Sequence, residues 1–251
     1  MTVMQNNPQP VHSKIVFLTA AMCNAQLELP LSSFTQMVID IATEHANILD
    51  IGYTRMIRDN AAWVLSRVVV EMNRFPRFNE TFSITTWILT LNKYYSDRAI
   101  RFDDENGNPI GFVRTTWVAI DVNSRRPVNL NSLFPDGVPM PEIDFPIEPQ
   151  SRIARIDVPQ AVRSHTFLTA DIDCNRHVNT NRYVEQIVNQ WDLAFYDENR
   201  ICRFDVTFHA EALFGEAVTL QSTLIGSDAT VEIINSQGRL CTAAAIHFEK
   251  R

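Results

Sequence analysis

The stretch "FGEAVTL" at residues 214–220 has a counterpart, "FNETFSI", at residues 78–84. The two share a leading Phe, a turn-forming second residue, a Glu, and then apolar and polar positions in the same alternation. A match this short becomes informative because its surroundings repeat too. Upstream of the first copy, "LSSFTQMVIDIATEHANIL" (31–49) carries Phe34, Met37, Val38, Ile41, Ala42, His45 and Leu49 on one face at helical spacing. Ser33 with Gln36 has the form of a capping box at its start. Upstream of the second copy, "NTNRYVEQIVNQWDLAFY" (179–196) places Tyr183, Val184, Ile187, Val188, Trp191 and Phe195 on one face, which predicts a second long helix.

The runs after each helix are rich in β-branched and aromatic residues and read as strands: 60–76, 80–107 and 109–122 in the first half, 201–226, 228–234 and 239–249 in the second. Asn106-Gly107 and Gln237-Gly238 are turn signals before the last strand of each half. Between the halves, residues 127–150 hold six of the chain's twelve prolines, which oppose both helix and central strand. The order predicts an α+β fold of two fused modules, each a long helix wrapped by an antiparallel sheet. The boundaries read as a first module over 1–135, a Pro-rich linker over 136–160 and a second module over 161–251.

With 45% hydrophobic and 20% charged residues, the composition is that of a globular chain able to bury a core. A net charge of -7 offers no basic field for nucleic acid, so a nucleic-acid partner is excluded as an expectation. Cys23, Cys174, Cys202 and Cys241 are widely separated with no CxxC pair, which points to a reducing compartment rather than to zinc or disulfides. The histidines are scattered and no glycine-rich phosphate loop occurs, so neither a metal nor an organic cofactor is expected. The first residues lack the basic and apolar regions of a signal peptide, and no run approaches the roughly 20 apolar residues of a membrane span. A cytoplasmic location follows as the expectation.

The two helix starts differ in chemistry. Before the second, "DIDCNRHVN" (171–179) alternates Asp171, Asp173, Asn175, His177 and Asn179, which in an extended segment project to one face. A helix entrance adds free N–H groups and a positive dipole end, suited to a developing oxyanion. Any one Asp or Asn here reads equally as a cap or turn former. The density of the cluster favours chemistry for Asp173, Asn175 and His177, while Asp171 and Asn179 stay evenly divided between chemistry and capping.

"DIDCNRHVNTNRYVEQ" resembles the signature of hotdog-fold thioesterases, and more narrowly that of the acyl-ACP thioesterases of plant plastids and bacteria, in which two hotdog modules are fused. "WVLSRVVVEMNRFPRFNETFSITTWI" and "RTTWVAIDVNSRRPVNL" resemble that family's first-module strands and arginine-rich turn. The resemblance spans about residues 11–250. It implies hydrolysis of fatty acyl-ACP thioesters to free fatty acid and holo-ACP, with a fatty acyl carrier protein as partner and substrate. It also implies catalytic residues Asp173, Asn175, His177 and Glu211, and acyl-chain selection by the first module. Ala212 stands where plant members have a cysteine, and a methyl group cannot attack a thioester, so an activated water is the expected nucleophile.

On that reading Glu211 and Asp173 position and deprotonate the water. His177 and Asn175 hydrogen-bond the thioester oxygen or departing sulfur, helped by a backbone amide near Val178. Cys174, alternating away from the polar face, reads as packing. Phe34, Met37, Val38, Ile41, Trp63, Trp87 and Trp117 supply apolar material for an acyl tunnel. Arg125, Arg126, Arg152, Arg155, Arg163 and Arg182 could form a basic patch for an acidic carrier. The alternatives are a broader acyl-CoA thioesterase and a non-catalytic acyl-thioester binding protein. A homodimer of the fused chain is a further expectation.

Overall fold

Ten antiparallel strands form one continuous sheet in the computed structural model, which describes residues 9–251. The first module contributes β1 (Val11–Phe17), β2 (Ala61–Met72), β3 (Thr81–Leu91), β4 (Ser96–Asp103) and β5 (Pro109–Asp121). The second contributes β6 (Ala161–Thr166), β7 (Asn199–Phe208), β8 (Ala217–Ile225), β9 (Asp228–Asn235) and β10 (Leu240–Lys250). The spatial order, β1-β3-β4-β5-β2-β7-β10-β9-β8-β6, is the same connectivity read inward from either edge. At the centre β2 and β7 pair antiparallel, with Val68 opposite Val206, so the two halves meet about a local dyad.

The short repeat is structural as well as sequential. Asn79 and Gly215, its second residues, both take left-handed backbone, at φ 64° and 74°. The turns at Gly107 and Gly238 are left-handed in the same way. Sequence patterning found the inner strands but missed β1 and β6. Both are sheet edges, largely exposed on both faces, so neither carries the alternation that marks a half-buried strand.

The helices are α1 (Leu31–Ile48), α2 (Tyr53–Arg58), α3 (Leu130–Leu133), α4 (Thr180–Val188) and α5 (Leu193–Glu198). The expected capping box does not form. The helix starts at Leu31 behind Pro30, whose φ of -67° presets the entry, and the Gln36 amide donates to Asp40 instead. The second long helix is also broken in two. Asn189 ends α4, and the Asp192 carboxylate accepts the Phe195 amide and so caps a new helix, α5.

One apolar core runs through both modules because α1 and α4 pack on each other inside the same curved sheet. Phe34, Val38 and Ile41 of α1 meet Val184 and Ile187 of α4 and Val68, Phe204 and Val206 of the central strands. Each such buried side chain contributes roughly 1.5–3 kcal/mol of transfer free energy. Met37 and Trp117 are partly buried against this core. Two expected tunnel residues lie elsewhere. Trp63 belongs to a separate small cluster, stacked on Phe134 with its indole N–H donated to the Ile51 carbonyl. Trp87 alternates with Ile84 and Thr86 and so faces the opposite side of the sheet, where Phe145 packs edge-on against it.

Phe145 belongs to residues 135–160, a segment without helix or strand that crosses that opposite face. Phe145 touches Trp87 and Phe112, Gln150 donates to Thr207 of β7 at 2.9 Å, and Arg155 pairs with the fully buried Glu232 of β9. The prolines that keep the segment out of regular structure thus leave it free to strap the modules from behind.

On the helix side, α1 buries His45 completely. Its Nε2 lies 2.9 Å from the Gln9 carbonyl and its Nδ1 2.6 Å from the Arg98 guanidinium. A carbonyl needs a donor and a guanidinium needs an acceptor, so only the neutral ring satisfies both. Burial, with Arg98 and His12 adding charge repulsion, pushes the His45 pKa down to about 4 from 6.5. Above pH 6.5 the ring is neutral folded or unfolded, and its contribution to stability is complete. Between pH 6.5 and 4 only the unfolded chain takes up the proton, so stability falls, by about 3 kcal/mol in all at 1.36 kcal/mol per pKa unit. The melting temperature should therefore drop over that window, and His45→Gln should flatten the drop. Parallel wild-type and variant profiles would exclude His45 as the cause.

Candidate active site

The polar cluster sits in a loop between β6 and α4, and the loop is bent rather than extended. A 3-10 turn spans Thr169–Asp171, after which an antiparallel bridge between Ile172 and Val178 closes the loop Asp173–His177. The Asp173 carboxylate builds that bend: Oδ1 accepts the amides of Asn175 at 2.8 Å and His177 at 3.1 Å. The Asp173 amide donates to the His177 carbonyl at 2.8 Å, and Arg176 takes left-handed backbone at φ 67°. An aspartate that accepts amides two and four residues ahead favours a turn over a strand, and this overrides the alternation read from sequence. Cys174 consequently lies exposed on the outside of the bend rather than packed.

Asp171 and Asn179 both have structural partners. Asp171 accepts the Leu168 amide at 2.7 Å and lies 3.5 Å from the Arg182 guanidinium, while Asn179 caps α4 through the Asn181 amide. The first module repeats this loop with other residues. Asn24 accepts the amides of Gln26 and Glu28, donates its own amide to the Glu28 carbonyl, and is followed by left-handed Leu27. Asn24, Gln26 and Glu28 are therefore the counterparts of Asp173, Asn175 and His177.

Glu211 arrives on the segment that leaves β7. Its neighbour Ala212, fully buried, is stitched to the start of α4 from both sides: its amide donates to the Tyr183 hydroxyl at 2.7 Å and its carbonyl accepts the Val178 amide at 3.1 Å. The Val178 amide itself is thus committed to Ala212 and is no donor for an oxyanion. Tyr183 holds the segment that carries Glu211, a role that its place in the apolar stripe of the helix does not reveal. The signal was present, since a buried tyrosine needs a partner for its hydroxyl. Its phenol is raised above the usual range, first by burial.

These constraints bring His177 and Glu211 together, with Nε2 3.3 Å from Oε2. The same oxygen accepts a hydrogen bond from Arg125 Nη2 at 2.6 Å. Arg125 comes from the turn after β5, in left-handed backbone at φ 58°. Asp121 shapes that turn by accepting the Ser124 and Asn123 amides, and the Ser124 amide first among them holds the Asp121 carboxyl below its usual range. Oε2 accepts the Arg125 hydrogen bond and lies within ion-pair distance of His177, whereas Oε1 makes no hydrogen bond among the described residues and is the oxygen open to a proton. The His177 and Glu211 side chains are 28% and 40% exposed, so water reaches both. Asn175, two residues before His177 in the same bend, is exposed, with its amide 3.5 Å from Asp173 Oδ2.

The expected basic patch is smaller than its sequence suggests. Arg125 is taken by Glu211, Arg155 by Glu232, Arg182 by Glu185, and Arg163 by the carbonyls of Asn189 and Gln190. Arg126, Arg152 and Arg176 are exposed and form no ion pair among the described residues.

Comparison with known proteins agrees with this architecture. The model of the acyl-ACP thioesterase N-terminal domain matches residues 14–134, and that of the C-terminal domain matches residues 160–250. A chloroplastic acyl-acyl carrier protein hydrolase of Cuphea viscosissima is 24% identical over 65% of this chain and 42% of its own length. A chloroplastic oleoyl-acyl carrier protein thioesterase of Arabidopsis thaliana is 22% identical over 74% of this chain and 54% of its own. The chain thus spans about half the length of these curated relatives. Among solved structures, an acyl-ACP thioesterase from Bacteroides thetaiotaomicron superposes with a TM-score of 0.88 at 27% identity, covering 96% of this chain and 98% of the other. The 12:0-ACP thioesterase of Umbellularia californica shares the fold, with a TM-score of 0.83 at 15% identity over 97% and 98% of the two chains. Both halves of the duplicated hotdog architecture being matched in order, this chain belongs to the acyl-ACP thioesterase family.

Proposed function

We propose that this chain hydrolyses fatty acyl-ACP thioesters to free fatty acid and holo-ACP in fatty acid biosynthesis, with water as the nucleophile. The observation that carries the reading is the pairing of Glu211 with His177 at the mouth of α4, solvent-accessible and with Glu211 Oε1 left to accept a proton. Glu211 Oε1 takes a proton from water as the water oxygen bonds to the thioester carbon. His177 and the Asn175 amide donate to the carbonyl oxygen as it gains charge. Collapse of the adduct breaks the C–S bond, the carrier's thiol leaves as thiolate, a feasible leaving group with a thiol pKa near 8.5, and Glu211 passes the proton it took to that thiolate, which regenerates the base. Asp173 acts through the loop it shapes, setting where Asn175 and His177 point.

The acyl chain is assigned to the first module, because α4 packs on α1 and both share one apolar core with Phe34, Val38 and Ile41. Arg126 and Arg176, near the site and without an ion pair among the described residues, are the cations we assign to an acidic carrier surface. Free cysteines favour a reducing compartment, and the cytoplasm is our reading; the plant relatives are named as chloroplastic.

General-base catalysis is typically worth about 10² to 10⁴ in rate, so Glu211→Gln and His177→Ala should each lower kcat on acyl-ACP on that order. Cys174→Ala should keep wild-type turnover, and thiol release measured on the three variants decides the matter. Asp173→Asn should keep the wild-type melting temperature, since Asn24 performs the same bending in the first module. Asp173→Ala should lose about 0.5–2 kcal/mol, the usual cost of removing a side-chain cap on backbone amides. Chemical denaturation of both distinguishes a loop-shaping carboxylate from an indifferent one. Raising salt should increase KM for acyl-ACP far more than for acyl-pantetheine, and equal responses would remove Arg126 and Arg176 from carrier docking.

A further inference from the structure

The N-terminal module supplies an arginine to the site of the C-terminal one. Arg125 lies four residues beyond the end of β5, yet its guanidinium touches Glu211, a residue from the other half of the chain. The dyad repeats the arrangement. Arg251, one residue beyond the end of β10, reaches into the first module and forks onto Glu28, at 2.9 Å to Oε1 and 2.7 Å to Oε2. Glu28 is the counterpart of His177, so in each half an arginine past the last strand crosses to the partner module near its helix mouth, onto Glu28 of the loop itself in one case and onto Glu211 of the segment after β7 in the other.

At the first module's mouth the arrangement carries no acid–base pair. Phe75 stands where the repeat aligns Glu211, and Glu28 is buried and satisfied by Arg251. The crossing arginine is thus a fixture of module pairing, and only at the second module's mouth does it meet a carboxylate beside a histidine. There it holds Oε2, the oxygen next to His177, and leaves Oε1 without a hydrogen bond among the described residues.

We propose that Arg125 is a positioning residue for hydrolysis, acting through Glu211, so that the first module contributes to the chemical step as well as to acyl-chain binding. The proposal rests on Glu211 being the base. Carrier docking is the competing role for an exposed arginine, but contact with Glu211 puts Arg125 at the thioester end of the pantetheine arm. The arm's phosphate and the carrier lie at its other end.

The test is steady-state kinetics of Arg125→Ala, Arg125→Lys, Glu211→Gln and Arg125→Ala/Glu211→Gln on acyl-ACP and on acyl-pantetheine, which lacks both phosphate and carrier. Arg125→Ala is expected to lower kcat about 10- to 100-fold on both substrates with KM nearly unchanged, the scale that misplacing a catalytic group carries. Arg125→Lys should recover part of the loss, because it restores the cation without the planar fork. The double variant should be no slower than Glu211→Gln alone. The proposal is overturned by wild-type kcat in Arg125→Ala, by a defect confined to KM for acyl-ACP, or by losses that multiply in the double variant. Full activity in Glu211→Gln would instead sink the assignment of the base, and the positioning role with it. Because Arg125 is a surface side chain, matching melting temperatures separate these outcomes from misfolding.

Discussion

Antiparallel pairing of β2 with β7 is the constraint from which the rest of the structure follows. It joins two five-stranded halves into one sheet, so that neither half ends in a bare central edge, and it brings α1 and α4 onto a common concave face. It also fixes which ends lie together. Since β5 and β7 both pair with β2 and run opposite to it, their C-terminal ends emerge on the same side. The turn after β5 and the segment after β7 are therefore neighbours, although 86 residues separate Arg125 from Glu211.

The duplicated loop at each helix mouth shows how one backbone design serves two ends. In both modules a side-chain oxygen on an Asn or Asp accepts amides two and four residues ahead, and a left-handed residue closes the bend. The geometry needs only an acceptor at the first position. Residues at the second and fourth positions are then free to differ, as Gln26 and Glu28 in one module and Asn175 and His177 in the other. Divergence of function within a conserved bend needs no change of fold, which is why the repeat stays recognisable while the chemistry does not.

The environment of Glu211 illustrates how a site is built from supports outside it. Tyr183 and Val178 hold Ala212 on either side, and Ala212 itself is fully buried. Arg125 then sets the rotation of the carboxylate. Behind the sheet, the extended segment through Phe145, Gln150 and Arg155 ties first-module strands to β7 and β9, and so resists any shear that would pull the two halves of the site apart.

By itself the sequence determined the duplicated helix-then-sheet order, the inner strands, the turns and the stretch that carries the polar cluster, because these depend on periodicity and turn chemistry that are local in the chain. It also placed His177 and Glu211 in one site, through resemblance to a family rather than through spacing. The tertiary structure alone decided what each polar atom is spent on. Asp173 bends its own loop, the Val178 amide goes to Ala212, Trp87 faces the connecting segment, and Arg125 crosses to Glu211 instead of waiting for a carrier. Partners such as these come from segments far apart in the chain, and the sheet register that joins them is a property of the whole fold.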